Sequence, residues 1–214
     1  MTDTFDFLHQ NLRIATEFQL LSAAIHDVGG FLTSVEGYAL YLLANMGEGE
    51  GAIVEIGSFE GKSTIWLALG SKNAGREHVT AVDTFAGSPE HQKGAGMEIA
   101  SLHGEGTTYN QFLRNIEAFG IREFVNPVVA RSEDAAKGWA GPIRLLFIDG
   151  EHSYEAVSTD FQSWSDHVIP GGYIAFHDYG NSPDVQRFCD ELAAPHDAYE
   201  FALHSGSVWV VRKR

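Results

Sequence analysis

Leu145-Leu146-Phe147-Ile148-Asp149-Gly150-Glu151-His152-Ser153-Tyr154 carries the pattern on which the fold turns. Its first four residues are apolar at every position. A strand with one wet face alternates, so an unbroken run implies burial on both faces, which parallel sheets covered by helices provide. Just downstream, Tyr154, Val157, Phe161, Trp164 and Val168 recur at helical spacing and form a single apolar stripe. Ser153 can cap this helix, and Pro170-Gly171-Gly172 is expected to stop it. The same unit repeats outward along the chain, with short apolar runs at 53–56, 79–82, 127–130 and 173–176, each followed by a polar or glycine-containing turn. Residues 201–204 and 207–211, joined at Ser205-Gly206, read as an antiparallel hairpin. Five βα units closed by a hairpin predict an α/β domain with a doubly wound sheet of seven strands.

Composition agrees. At roughly 150 residues per domain, 214 residues imply one domain with a sizeable core. Fourteen Lys and Arg face 29 Asp and Glu, and the net charge of −15 argues against a nucleic-acid partner. One cysteine, Cys189, leaves no disulfide framework and no cysteine-based zinc site. No apolar run is long enough for a membrane helix, and the acidic start lacks the basic region of a signal peptide, so a soluble cytoplasmic protein is expected. Residues 1–50 read as a helical segment, with Thr33 and Glu36 forming a capping box. Residues 51–214 form the main domain. Within it the glycine-rich stretch 84–106, containing His91 and His103, reads as a lid. Residues 1–50 are left to cover either the site or a second copy in a homo-oligomer.

In doubly wound sheets, ligands bind beyond the carboxyl ends of the strands where the strand order reverses. The first such end is Glu55-Ile56-Gly57-Ser58-Phe59-Glu60-Gly61-Lys62-Ser63-Thr64. A P-loop needs four residues between its first glycine and Gly-Lys-Ser, and this loop has one too few. A dinucleotide fingerprint needs glycine where Phe59 stands. Glu60 also lies where a pyrophosphate would sit, and two like charges about 4 Å apart cost on the order of 4 kcal/mol at an effective dielectric near 20. Lys62 offsets part of that. S-adenosylmethionine suits the loop better: backbone N–H groups can take its carboxylate, while Glu55 and Glu60 favour its positive charge. Asp83, at the end of the second strand, is placed to accept ribose hydroxyls. The plainer alternative makes Gly57 and Gly61 packing glycines and Asp83 a solvated turn residue. Ser132 and Glu133, after the third strand, can either meet the adenine edge or form an ordinary helix start.

Four segments together resemble the class I S-adenosylmethionine-dependent methyltransferases: Val54–Thr64, Val82–Phe85, Phe147–Tyr154 and Pro170–Tyr179. Within that superfamily the chain is most similar to small bacterial enzymes that share the Ile-Asp-Gly-x-His-x-Tyr and Gly-Gly-x-x-x-x-x-Asp-Tyr patterns. These include macrolide and aminocoumarin sugar O-methyltransferases and the cephalosporin-hydroxylase-like group. The resemblance spans roughly 30–212 and implies the Rossmann-like fold. It also implies a cofactor lined by Glu55, Gly57, Ser58, Glu60, Ser63, Asp83, Ser132 and Glu133. The Asp/Asn-Pro-Pro-Tyr signature of amine methylation is absent, which favours an oxygen acceptor on a small molecule.

The resemblance further implies that the fourth and fifth strands are neighbours, so Asp149, His177 and Asp178 converge. Carboxylates suit Mg²⁺, and a histidine ligand also admits Mn²⁺, Fe²⁺ or Zn²⁺. Metal-dependent relatives carry Asp-Asp, Glu-Asp or Asp-Asn where this chain has His177-Asp178, a departure that leaves the metal's identity open. The alternative is a non-metal role for Asp149 and Asp178, either orienting the acceptor or accepting loop N–H bonds. His152 stands where catechol-type relatives carry a lysine base, and imidazole suits proton abstraction near neutral pH; it can equally hydrogen-bond its own turn. Two rivals to an O-methyltransferase follow. One is a cofactor-binding protein without turnover, the other an iron-dependent oxidoreductase using Asp149, His177 and Asp178.

Overall fold

A computed structural model of the protein describes residues 4–88, 91, 94, 99–194 and 198–214. The strands are β1 (Ala52–Ile56), β2 (Val79–Asp83), β3 (Val125–Val129), β4 (Ile143–Ile148), β5 (Val168–Phe176), β6 (Tyr199–Ser205) and β7 (Val208–Lys213). They form one sheet in the order β3-β2-β1-β4-β5-β7-β6. β1 to β5 run parallel, and β7 pairs antiparallel with both β5 and β6. All six residues of β4 are buried, as its unbroken apolar run predicts.

Helices α1 (Thr4–Ile25), α2 (Ser34–Met46), α3 (Lys62–Asn73), α4 (Ala100–Glu105) and α5 (Tyr109–Ala118) precede β3. Helices α6 (Ser132–Lys137), α7 (Tyr154–Trp164) and α8 (Pro183–Leu192) follow it. Two apolar cores flank the sheet. On one face α2, α3 and α5 contribute Leu40, Trp66 and Phe112; on the other, α7 and α8 contribute Val157, Trp164, Val185 and Phe188. No helix of the described residues is long and apolar enough to cross a membrane.

Several boundaries differ from the sequence reading, most of them by one or two residues. The stripe helix α7 ends at Trp164, and a 3-10 turn at Ser165–His167 leads directly into β5. Pro170-Gly171-Gly172 therefore lies inside β5 rather than ending a helix. The β4–β5 register jumps from Ile143↔Val168 to Leu145↔Tyr173, so these residues are absorbed in a bulge, where proline and glycine are tolerated. β3 starts at Val125, two residues early, and keeps Pro127 because it is the sheet edge.

The capping box at Thr33 and Glu36 is present and starts α2. Arg144, fully buried near the start of β4, donates to the carbonyls of Leu43 and Ala44 at the other end of this helix and to Glu77. α2 thus runs along the strands between their carboxyl and amino ends, packed on α3. Residues 89, 90, 92, 93 and 95–98 of the expected lid lie outside the described residues.

Candidate active site

Strand order reverses at β1, which has β2 on one side and β4 on the other. A cavity of about 750 Å³ opens there, over the carboxyl ends of β1, β2, β4 and β5, in the size range of small-molecule sites. Gly57, Ser58, Ser63, Asp83, Ser132, Glu133, Asp149, His152, His177 and Asp178 all line it; Glu55 and Glu60 do not.

The glycine turn is built by what lies beneath it. Gly57 has φ 84°, and a Cβ there would collide with the Asp149 carbonyl, so only glycine lets β1 and β4 close at this point. The Asp83 carboxylate accepts N–H bonds from Ser58 (2.8 Å), Phe59 (2.7 Å) and Phe85 (2.7 Å). Phe59 (φ 48°) and Phe85 (φ 55°) adopt left-handed backbone conformations, costly for bulky residues and characteristic of functional turns. Asp83 is therefore a turn clamp rather than a solvated residue, yet a carboxylate has about four acceptor positions, so capacity for a ligand hydroxyl remains.

Glu55 sits below the turn, fully buried, accepting from the hydroxyls of Ser58 and Thr64. Burial pushes its pKa up to about 7 against the pull of these hydroxyls and of Ser63. It holds the loop from underneath instead of facing a ligand. Glu60 turns toward Gly29 and accepts from Ser101 (2.7 Å), tying the loop to the chain before α2 and to α4.

On the opposite wall, α6 begins with Arg131, not Ser132, as its cap. Ser132 accepts from the Trp164 indole (2.9 Å) and bonds Asp160, a cavity-lining carboxylate that burial pushes up to about 6. Glu133 pairs with Arg131 at 2.7 Å. Asp160 escaped the sequence reading although it carries a signal: it falls on the buried stripe between Val157 and Trp164.

The strand ends of β4 and β5 hold a cluster of ionisable side chains. His177 is buried, and its Nδ1 lies 3.1 Å from both Asp149 Oδ1 and Asp178 Oδ2. Its Nε2 faces Glu36 at 3.8 Å and has no hydrogen-bond partner. Burial works against the imidazolium, but Asp149, Asp178 and Glu36 outweigh it and push the pKa to about 12. Burial likewise raises Asp149, with His177 opposing. Burial also works against ionised Asp178, yet bonds to His152 and His177 hold its carboxyl well below the usual range. Asp178 has φ 61°, a conformation aspartate tolerates. His152 Nε2 contacts Asp178 Oδ2 at 3.0 Å, so this imidazole joins the cluster.

Ligand-type atoms of Asp149, His152 and Asp178 lie within 4.8 Å of one another. His177, the expected third ligand, also lines the cavity; its Nδ1 lies against both carboxylates and its other nitrogen turns to Glu36. Glu36 escaped the sequence reading as a site residue. Its capping role was visible, but its bonds to Ser207 and its approach to His177 link residues far apart in the chain.

The sheet order β3-β2-β1-β4-β5-β7-β6, with a glycine turn after β1 and an acid closing β2, agrees with the fold that the sequence resemblance implies. Residues 54–179 match the family described as "Methyltransferase domain", and the chain belongs to it. It is 30% identical over 160 residues to an uncharacterized protein of Acanthamoeba polyphaga mimivirus, covering 72% of this chain and 65% of that protein. Among solved structures, the O-methyltransferase NovP aligns over 95% of this chain and 98% of its own, at 17% identity and TM-score 0.69. The Bacillus cereus O-methyltransferase, in complex with S-adenosylhomocysteine, aligns over 94% and 91% at 20% identity and TM-score 0.62.

Proposed function

We propose that the protein transfers the methyl group of S-adenosylmethionine to a hydroxyl of a small molecule. The observation that carries this reading is the joining, in one acid-rich cavity at the switch point, of the Gly57 turn with the Asp178–His152 pair. In this reading the methionyl end lies along the turn from Gly57 to Ser63, a ribose hydroxyl takes the remaining capacity of Asp83, and adenine meets Ser132 and Glu133. The acceptor oxygen attacks the methyl carbon in line with the C–S bond, whose electrons return to sulfur. His152, oriented by Asp178, takes the hydroxyl proton. Catalysis then rests mainly on holding the two reactants in line.

Asp149, His152 and Asp178 also form a donor set suited to a divalent cation. When bound, such an ion would lower the pKa of the acceptor hydroxyl. His152 cannot serve as ligand and base through the same nitrogen, so chelation separates the two roles. Calorimetry with S-adenosylhomocysteine, followed by a screen of hydroxylated acceptors with methyl-labelled cofactor, tests the main reading; no cofactor binding sinks it. With an acceptor in hand, His152→Ala removes the acidic limb of the pH–rate profile, and an unchanged limb acquits His152 as base. Full activity in EDTA removes the metal alone.

A further inference from the structure

We infer that the Lys62 ammonium is the group that binds the cofactor's carboxylate and thereby fixes which way round the cofactor lies. The inference rests on the cofactor reading above and adds a residue to it. Lys62 and Arg131 are the lysine and arginine side chains that line the cavity. Arg131 is largely exposed and neutralised by Glu133. Lys62 is half-buried and, among the described residues, has neither an ion pair nor a hydrogen bond. Burial lowers its pKa with no carboxylate to offset the cost. An unpaired, partly desolvated ammonium is unfavourable unless something anionic comes to it.

Its placement suits that task. Lys62 is the first residue of α3, whose cap Gly61 makes no side-chain bond, so the positive end of the helix reinforces the same corner. Gly30 (φ 135°) lies over the aliphatic stem; a Cβ there would come within 3.2 Å of Lys62 Cβ. The loop before α2 therefore clamps the stem and leaves the charged tip to the cavity. Elsewhere the walls carry Asp83, Glu133, Asp149, Asp160 and Asp178. S-adenosylmethionine bears a sulfonium, an ammonium and one carboxylate. The two cations suit the acid walls, and the carboxylate finds a favourable partner in the Lys62 corner. That orientation sends the nucleoside toward Asp83 and Ser132.

The test compares S-adenosylhomocysteine with its decarboxylated analogue, which lacks only the carboxylate, by calorimetry on wild type and Lys62→Met. Wild type should prefer the carboxylated compound. Lys62→Met should weaken it at least tenfold, about 1.4 kcal/mol, while changing the analogue by less than twofold. Lys62→Arg should keep the wild-type preference and stands as the second arm should the Met variant fold poorly. Equal losses for both compounds, an unchanged affinity for S-adenosylhomocysteine, or a preference lost in Lys62→Arg overturns the assignment. A wild-type protein that binds neither compound overturns the cofactor reading itself.

Discussion

Arg144 at the amino edge of the sheet directs its donors to Glu77 and to the last carbonyls of α2, while His177 at the carboxyl edge faces three carboxylates with one nitrogen unbonded. Both are buried, and both tie down the same helix: Arg144 its C-terminal end, His177 its N-terminal Glu36. Arg144 itself is saturated, since every guanidinium nitrogen is matched within the chain. Around His177 acceptors outnumber donors, and Asp149 and Asp178 also open onto the cavity. One edge is scaffold, and the other holds capacity for something from outside.

That contrast can be broken experimentally. Arg144→Met should cost about 3 kcal/mol, as for other broken buried pairs, and lower the melting temperature by about 10 °C. Turnover of the molecules that remain folded should stay within twofold; a large loss of turnover would mean that the amino edge is not merely scaffold. Asp178→Asn keeps a residue that tolerates its left-handed backbone but removes the charge. Turnover should fall on the order of 100-fold, with the melting temperature shifting by only a few degrees.

Glu36→Gln sharpens the comparison, because Glu36 serves both scaffold and site. Its carboxylate accepts from Thr33 and Ser207, and an amide cannot accept all four of these bonds. A melting temperature lower by about 5 °C at pH 7 is expected, with turnover reduced severalfold. Burial opposes ionisation of Glu36, but His177, Thr33 and Ser207 hold its pKa below the ordinary 4.5. Its contribution is therefore present above that value and lost as pH falls, so the deficit of the variant should shrink below pH 4.5. A deficit independent of pH would show that charge plays no part.

The smallest effect is expected at Glu55, whose pKa is raised to about 7. A raised carboxyl stabilises fully below its unfolded value and loses that contribution as pH climbs to 7. Glu55→Gln should thus gain a few degrees over wild type at pH 8 and less at pH 5. An equal gain at both values would remove ionisation as the cause.

Strand positions and the glycine turn were legible because burial on both faces writes unbroken apolar runs, and because Gly57 answers a local steric demand. The same double burial hid the direction of Glu55: a strand covered on both sides carries no alternation to say which way a polar residue points. Pro170-Gly171-Gly172 signals a break in regular structure, but not whether that break is a helix end or a bulge within β5. His152 and His177 were both visible as candidates. That His177 also meets Glu36 was not visible, since a contact across 141 positions leaves no local trace. Lys62 was legible only as a charge offset, since its isolation becomes apparent once every neighbouring side chain has been placed.

Asp83 has a further consequence through the two phenylalanines it restrains. Phe59 and Phe85 belong to loops after different strands, yet both backbones are pinned to the same carboxylate. Asp83 acts as a gauge that sets the width of the gap between those loops before any guest arrives. Entry should therefore rearrange little there, and crystals grown with and without nucleoside should superimpose at this point.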